Sequence, residues 1–365
     1  MRAAIISQGS VSSKWTFEAM KKYFDEVDDI NVKNLEISIS GSSAQILYKG
    51  EPLKDYDCIY AKGSFRYSQV LRSLTSILHK DCYMPIIPGA FTIAHDKLLT
   101  QLMMQQHGVP MPKTYISSTI DSARELLSSL NYPIIMKFPQ GTQGKGVMFA
   151  DSFSSASSIL DALSALKQSF IIQEYIDTGS TDVRAFVVGD KVVASMIRRG
   201  SKEEIRSNIH TGGVGEPIEI DEHTKQIAIK AAKAIGAEIC GVDILQGFRG
   251  PLVIETNVSP GLQGITKATK VDVADIIAKY LYEQTKTRVD VKKNKNKQEV
   301  MADINNESSI ITNLDFRGVR ILLPEMVSMI SKLKSDDQVE VSVKKDEVSL
   351  KKVMWFISFL FFRLL

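Results

Sequence analysis

The chain opens on a short apolar run, Ala3-Ala4-Ile5-Ile6, which predicts a buried first strand and is too short for a signal-peptide core. Phe17, Met20, Phe24 and Val27 then recur near the 3.6-residue period and predict one amphipathic helix. CIYAKG (58–63) predicts another short strand ending in glycine. From His95, DKLLTQLMMQQHG predicts a helix stopped by Gly108, with Pro110 beyond it. Strand patterns follow: PIIMKF (133–138), FIIQEY (170–175), DVRAFVVG (182–189) and KVVASMI (191–197), the last two joined by the tight turn Gly189-Asp190. EHTKQIAIKAAKAIG (222–236) predicts a helix. CGVDILQ (240–246) and PLVIETN (251–257) predict a hairpin around Phe248-Arg249-Gly250.

The pattern lapses over 286–309, where KKNKNKQ and DINNESS carry no apolar period; this stretch reads as a flexible linker. It resumes over 310–365 as a small appended domain. Pro324 opens a predicted helix, with Met326, Met329, Ile330 and Leu333 on one side, and QVEVSV (338–343) alternates like a strand. The last thirteen residues, VMWFISFLFFRLL (353–365), fall short of the roughly 20 needed to span a bilayer. They read as a buried terminal element, with membrane-surface or interface contact as the lesser alternative.

Composition adds limits. Hydrophobic residues are 44% and charged residues 24% of 365, so disorder throughout is excluded. At roughly 150 residues per domain the length predicts two or three domains. A net charge of +3 leaves no overall electrostatic footprint for nucleic acid. Cys58, Cys82 and Cys240 make no disulfide framework or zinc spacing, which points to a reducing cytoplasm. The five histidines are too scattered for zinc, and no nucleophile elbow is present.

Three constellations carry chemistry. Gln140-Gly141-Thr142-Gln143-Gly144-Lys145-Gly146 follows a strand, and its glycines let bare N–H groups cradle phosphate, although it is neither a Walker A loop nor a dinucleotide fingerprint. A plain hairpin turn is the competing reading. Lys137, inside the apolar strand before it, is costly to bury without an anion, unless it lies at a sheet edge and reaches solvent. Second, Glu255 and Asn257 share a strand face, and Asp243 lies on the partner strand. This all-oxygen set suits Mg²⁺. Third, Arg206-Ser207-Asn208, with Arg184, Arg198 and Arg199 on neighbouring strands, suits an acidic ligand; a salt-bridge network fits those arginines equally well.

The order of HDKLLT (95–100), IIMKFPQGTQGKGV (134–147), IIQEYI (171–176), DVRAFVVGDKVVASMIRR (182–199), RSNIHTGG (206–213), GVDIL (241–245) and VIETNVSPGLQGI (253–265) resembles the RimK-type ATP-grasp glutamate ligases. The resemblance implies an α/β and α+β architecture. An N-terminal α/β pre-ATP-grasp domain (1–92) would precede a two-lobed ATP-grasp domain (93–285), the linker (286–309) and the small α+β domain (310–365). It implies that Lys97 and Lys137 contact the ATP phosphates under a lid containing Gly141, Gly144 and Gly146. Glu174 and Tyr175 would flank the adenine, with Asp182 near the ribose. Arg206, Ser207 and Asn208 would line the phosphate region, Arg206 and Asn208 acting catalytically. Asp243, Glu255 and Asn257 would hold Mg²⁺ or Mn²⁺, two ions being expected. Residues 314–343 resemble TusA-type sulfur carriers, with Ile321 and Leu322 where the cysteine and first proline belong. Sulfur transfer therefore does not follow, and a docking or regulatory module is expected.

The implied activity is ADP-forming: a carboxylate becomes an acyl phosphate and an amine displaces phosphate. The expected partners are ATP, glutamate and a carboxylate acceptor, either a protein C-terminus or a glutamyl-tailed coenzyme, with self-association into a homo-oligomer and no direct nucleic acid. RSNIHTGG resembles the glutamate-adding branch; the lysine-biosynthesis branch, with its acidic carrier protein, usually has an NTARGG-like stretch and is the runner-up. Gln263 stands where the family often has glutamate, at a position tied to acceptor choice. A non-catalytic ATP-binding regulatory module is the remaining alternative. Alanine at Asp243 or Glu255 is expected to abolish turnover in a folded protein.

Overall fold

The computed structural model describes residues 1–41, 43–140, 146–200, 214–305, 315–323, 331, 333–334, 337–345 and 347–352. Two compact units divide the chain, Met1–Asp290 and Val291–Leu365. The first begins with β1 (Arg2–Ser7), α1 (Val11–Met20) and β2 (Glu26–Asn31). A meander follows, of β3 (Leu35–Ser40), β4 (Ser43–Tyr48) and β5 (Glu51–Pro52), and then β6 (Cys58–Ala61). β2, β1 and β6 form a parallel sheet in that order. The helix expected through Val27 stops at Met20, and Val27 lies in β2, opposite Ala3. The spacing from Phe24 to Val27 mimics a helical turn, but pairing with β1 sets the local structure.

Helices α2 (Ser68–Leu78), α3 (Ala90–Ile93) and α4 (Lys97–Gln106) lead into a four-stranded antiparallel sheet. Its strands are β7 (Thr114–Tyr115), β8 (Ile134–Lys137), β9 (Val147–Ala150) and β10 (Ile171–Glu174), in the order β7-β10-β8-β9. The helices α5 (Ile120–Ser129) and α6 (Phe153–Ala165) accompany it. Ala123, Leu127, Met136, Leu160 and Ile172 belong to a core cluster of its own, which marks a separate small lobe.

The large lobe is built on β11 (Thr181–Val188), β12 (Lys191–Arg199), β13 (Val214–Pro217), β14 (Ile239–Gly247) and β15 (Gly250–Asn257). They lie in the order β13-β12-β11-β14-β15, antiparallel throughout. The lobe's helices are α7 (Glu222–Ala234) and α8 (Gln263–Thr269). Its core runs continuously into that of the N-terminal sheet.

The long helix α9 (Val273–Asn305) buries Val273, Ala274, Ile277, Ala278 and Leu281 along one stripe. It continues through most of the polar segment expected as a linker. Residues 286–305 contain neither glycine nor proline, so nothing in the sequence stops helix propagation once the apolar turns have started it.

The second unit contains the hairpin of β16 (Asp315–Arg317) and β17 (Arg320–Leu322), and that of β18 (Val339–Lys344) and β19 (Glu347–Lys352). The expected strand over 338–343 is β18. The helical stretch opened by Pro324 falls largely outside the described residues, and the apolar tail 353–365 lies wholly outside them. Among the described residues no helix is long and apolar enough to cross a membrane.

Candidate active site

Strand register assembles the site. On β11, Asp182 and Arg184 are two apart and so share a face. Asp182 pairs across to Arg198 on β12, and Arg184 pairs across to Asp243 on β14. Asp243 in turn lies opposite Glu255 on β15, and Asn257 lies opposite Gly241. The ladder shifts register at Asp243/Ile244, so Ile254 falls between the paired Val253 and Glu255. Ile254, Glu255 and Asn257 all line a cavity of about 560 Å³.

The charges in this row alternate. Arg184 donates from Nε and Nη2 to the two Asp243 oxygens, both at 2.7 Å. Arg198 donates in the same forked way to Asp182, both at 2.6 Å, and its Nη2 also lies 2.8 Å from Asp243 Oδ2. Arg184 and Arg198, two of the three arginines of the expected cluster, are therefore clamped by carboxylates, and the salt-bridge reading describes them. Arg199 points elsewhere: it is exposed and meets Glu216 at 3.5 Å.

Burial alone would push the Asp243 carboxyl up. The two guanidiniums outweigh it and hold the group well below the usual carboxylate range. Glu255 has the opposite balance. Burial first, and then the neighbouring Asp243 charge, raise it above the ordinary glutamate value, against the pull of Lys97, Arg184 and Lys137. Two carboxylates that repel each other in a half-enclosed cavity, with an amide oxygen beside them, fit a hard divalent cation. Asp243, Glu255 and Asn257 would hold it. Among the described residues no third acidic, histidine or cysteine side chain completes a cage. Mg²⁺ needs none, because it keeps waters and takes phosphate oxygens.

Two lysines supply the cations, Lys137 from the small lobe and Lys97 from α4, whose Met104 packs in the core shared by the large lobe and the N-terminal sheet. Lys137 ends β8, an interior strand, and is only 7% exposed, so the sheet-edge reading fails. Its Nζ donates to Gln173 Oε1 at 2.8 Å, and Gln173 Nε2 donates to Thr114 Oγ1 at 2.7 Å. Burial, helped by the Lys97 charge, brings its ammonium down to about 8 against the opposing pull of Glu255. Gln173, which the sequence reading passed over, carried the signal that exposed Lys137: a polar residue inside an apolar strand. Lys97 opens α4, held there by Asp96, whose Oδ1 accepts from the N–H groups of Leu98 and Leu99. Lys97 and Lys137 line the same cavity as Asp243 and Glu255.

Of the glycine-rich loop, Gly141 and Gly144 lie outside the described residues, as do Arg206, Ser207 and Asn208. Gly146 is described. Its φ is +78°, and a Cβ there would fall 2.2 Å from the Phe138 ring, so only glycine fits. Glu174 and Tyr175 also line the cavity. Glu174 Oε1 accepts from Lys113 N at 2.7 Å and from Arg249 Nη2 at 2.6 Å. Arg249 sits in the β14–β15 turn, so this pair links the two lobes. Tyr175 meets the Phe149 ring edge-on, with centroids 5.3 Å apart. Asp182 lines the cavity as well, with both oxygens engaged by Arg198.

Residues 94–281 match the RimK-like ATP-grasp domain family. The chain belongs to that family. A Vibrio cholerae relative named "Probable alpha-L-glutamate ligase" is 36% identical over 301 residues, covering 79% of this chain and 99% of the relative. A Marinomonas protein of the same name is 36% identical over 289 residues, 77% of this chain and 95% of its own length. The fold is shared with the ATP-grasp ligase PsnB, solved with minimal precursor, Mg and ADP (TM-score 0.61, 18% identity, 78% of this chain and 98% of that one). It is shared also with a RimK domain protein from Sphaerobacter thermophilus (TM-score 0.60, 18% identity, 77% and 99%). The RimK-like chain is thus an ATP-grasp ligase with the mixed α/β architecture expected from its sequence.

Proposed function

We propose that this RimK-like ligase adds L-glutamate, through its α-amine, to the carboxylate of an acidic acceptor, a protein C-terminus or a glutamyl-tailed coenzyme. The observation that carries the reading is the meeting, in one cavity, of Lys97 from α4 and Lys137 from β8 with Asp243, Glu255 and Asn257 from the large-lobe sheet. The glutamate ligase relatives support the choice of amine.

A carboxylate resists amines because its charge repels them. The γ-phosphoryl group of ATP, moved onto a carboxylate oxygen, gives an acyl phosphate and ADP. The glutamate amine then attacks the acyl carbon, the C–O bond breaks, and phosphate leaves with the electron pair. Mg²⁺, or Mn²⁺ in its place and two ions in the proposed arrangement, would be held by Asp243, Glu255 and Asn257 and would supply neutralisation of phosphate charge. The protein's own share is position and charge. Lys97 and Lys137 would hold phosphate oxygens. In the Asp182–Arg198–Asp243–Arg184 row the two guanidiniums hold the Asp243 carboxylate against rotation. Glu174 and Tyr175 would flank the adenine. Arg206, Ser207 and Asn208 are the proposed phosphate and acyl-phosphate contacts. No enzyme nucleophile is required.

Full-length protein supplied with Mg²⁺, ATP, L-glutamate and peptides ending in glutamate is expected to release ADP only when glutamate and an acceptor are both present. Mass spectrometry should show the acceptor gaining glutamyl residues. ADP release indifferent to glutamate would contradict the reading.

A further inference from the structure

The cavity extends past the residues assigned to nucleotide and metal into the N-terminal sheet, where its wall includes Lys62, Ser10, Ser13 and Gln263. Lys62 follows β6 directly and is 4% exposed. Its Nζ is buried with no hydrogen-bond partner among the described residues and lies 5.5 Å from the centre of the Tyr60 ring. Burial alone brings this ammonium down to about 8. A buried, unpaired ammonium is costly, and an anion in the cavity removes the cost.

The surroundings are built and held. Lys62 N donates to Ile6 O at 2.8 Å, and Gly63 N donates to Ser259 Oγ at 2.8 Å. Ser10 is the N-cap of α1, a ten-residue helix, and its Oγ lies 2.9 Å from Ser13 Oγ. Ser12 Oγ accepts from Leu262 N at 2.8 Å, which fastens the start of α1 to the segment before α8. Two hydroxyls at a helix N-terminus and an unpartnered ammonium therefore line one end of a cavity whose other walls carry the proposed phosphate and metal residues.

We propose that Lys62, with Ser10 and Ser13 at the α1 N-terminus, binds a non-reacting carboxylate of a substrate. The proposal rests on the ligase reading and assigns it a specificity residue. The shared chemistry is a carboxylate, supplied either by the incoming glutamate or by the acidic tail of the acceptor.

The test is isothermal titration of the full chain, loaded with Mg²⁺ and a non-hydrolysable ATP analogue, with L-glutamate and separately with a peptide ending in two glutamates. Lys62→Met is expected to weaken one of these by about 10- to 100-fold, the range for losing a charged hydrogen-bond partner. Lys62→Arg should recover most of the loss. Weakening in the glutamate arm identifies the amine substrate, and weakening in the peptide arm the acceptor. Nucleotide affinity should stay within about twofold, and without ligand Lys62→Met should raise the melting temperature, because it removes an unpaired buried charge. Unchanged binding of both probes, failure of both to bind wild type, or loss of nucleotide affinity instead would overturn the subsite. The ligase reading is judged apart from this, by wild-type nucleotide binding and glutamate-dependent ADP release.

Discussion

Glu255→Gln is expected to lower turnover by about a thousandfold or more, on the scale of losing a preorganised electrostatic contact, while the fold stays intact. Glutamine keeps the side chain's volume on β15 and removes one of two facing negative charges. Because burial and Asp243 already raise the Glu255 carboxyl above its ordinary value, its charge disfavours the metal-free fold. The variant should melt at or above the wild-type temperature, and Mg²⁺ titration followed by nucleotide binding should show weakened metal affinity. Wild-type ADP release from this variant would remove Glu255 from the metal site.

Asp243→Asn should fail in both respects. It loses a ligand charge, and it takes from Arg184 and Arg198 the carboxylate between them. Asp243 is 3% exposed, and breaking one partner out of a buried ion network costs about 3–5 kcal/mol. The folded protein expected from the sequence is thus expected at reduced stability. The pH dependence follows from the sign of the shift. The folded carboxyl lies below its unfolded value, so its contribution is complete above the ordinary aspartate range and fades as pH falls toward about 2. Urea unfolding of wild type and variant near neutral pH should show the full gap, and the gap should narrow in acid. Equal unfolding midpoints near neutral pH would show that the network carries no stability.

Much of the site was legible before the structure because β-strands alternate with period two. That rule placed Glu255 and Asn257 on one face and Asp243 opposite, and it singled out Lys137 as an ammonium trapped in an apolar run. The partners of the arginines were not legible. Whether Arg184 and Arg198 reach a ligand or a carboxylate depends on cross-strand register: Asp182 against Arg198, and Asp243 against Arg184. Lys62 and Gln173 carried the same polar-in-apolar signal as Lys137, but no adjoining glycine loop drew attention to them. Val27 was misplaced because three residues of spacing fit a helical turn, whereas a parallel partner strand decided its structure. The helix through Asn305 was missed because its polar extension carries no apolar period, and periodicity reports burial rather than helix propagation.

The central claim is that phosphate is handled where the two lysines face the acidic pair. A crystal structure of the full chain with Mg²⁺ and a non-hydrolysable ATP analogue tests it most directly. The predicted result is a triphosphate lying between Lys97 and Lys137 on one side and Asp243, Glu255 and Asn257 on the other, with the metal on the acidic side. A triphosphate seated away from β15, with those three side chains touching neither metal nor phosphate, would contradict the account.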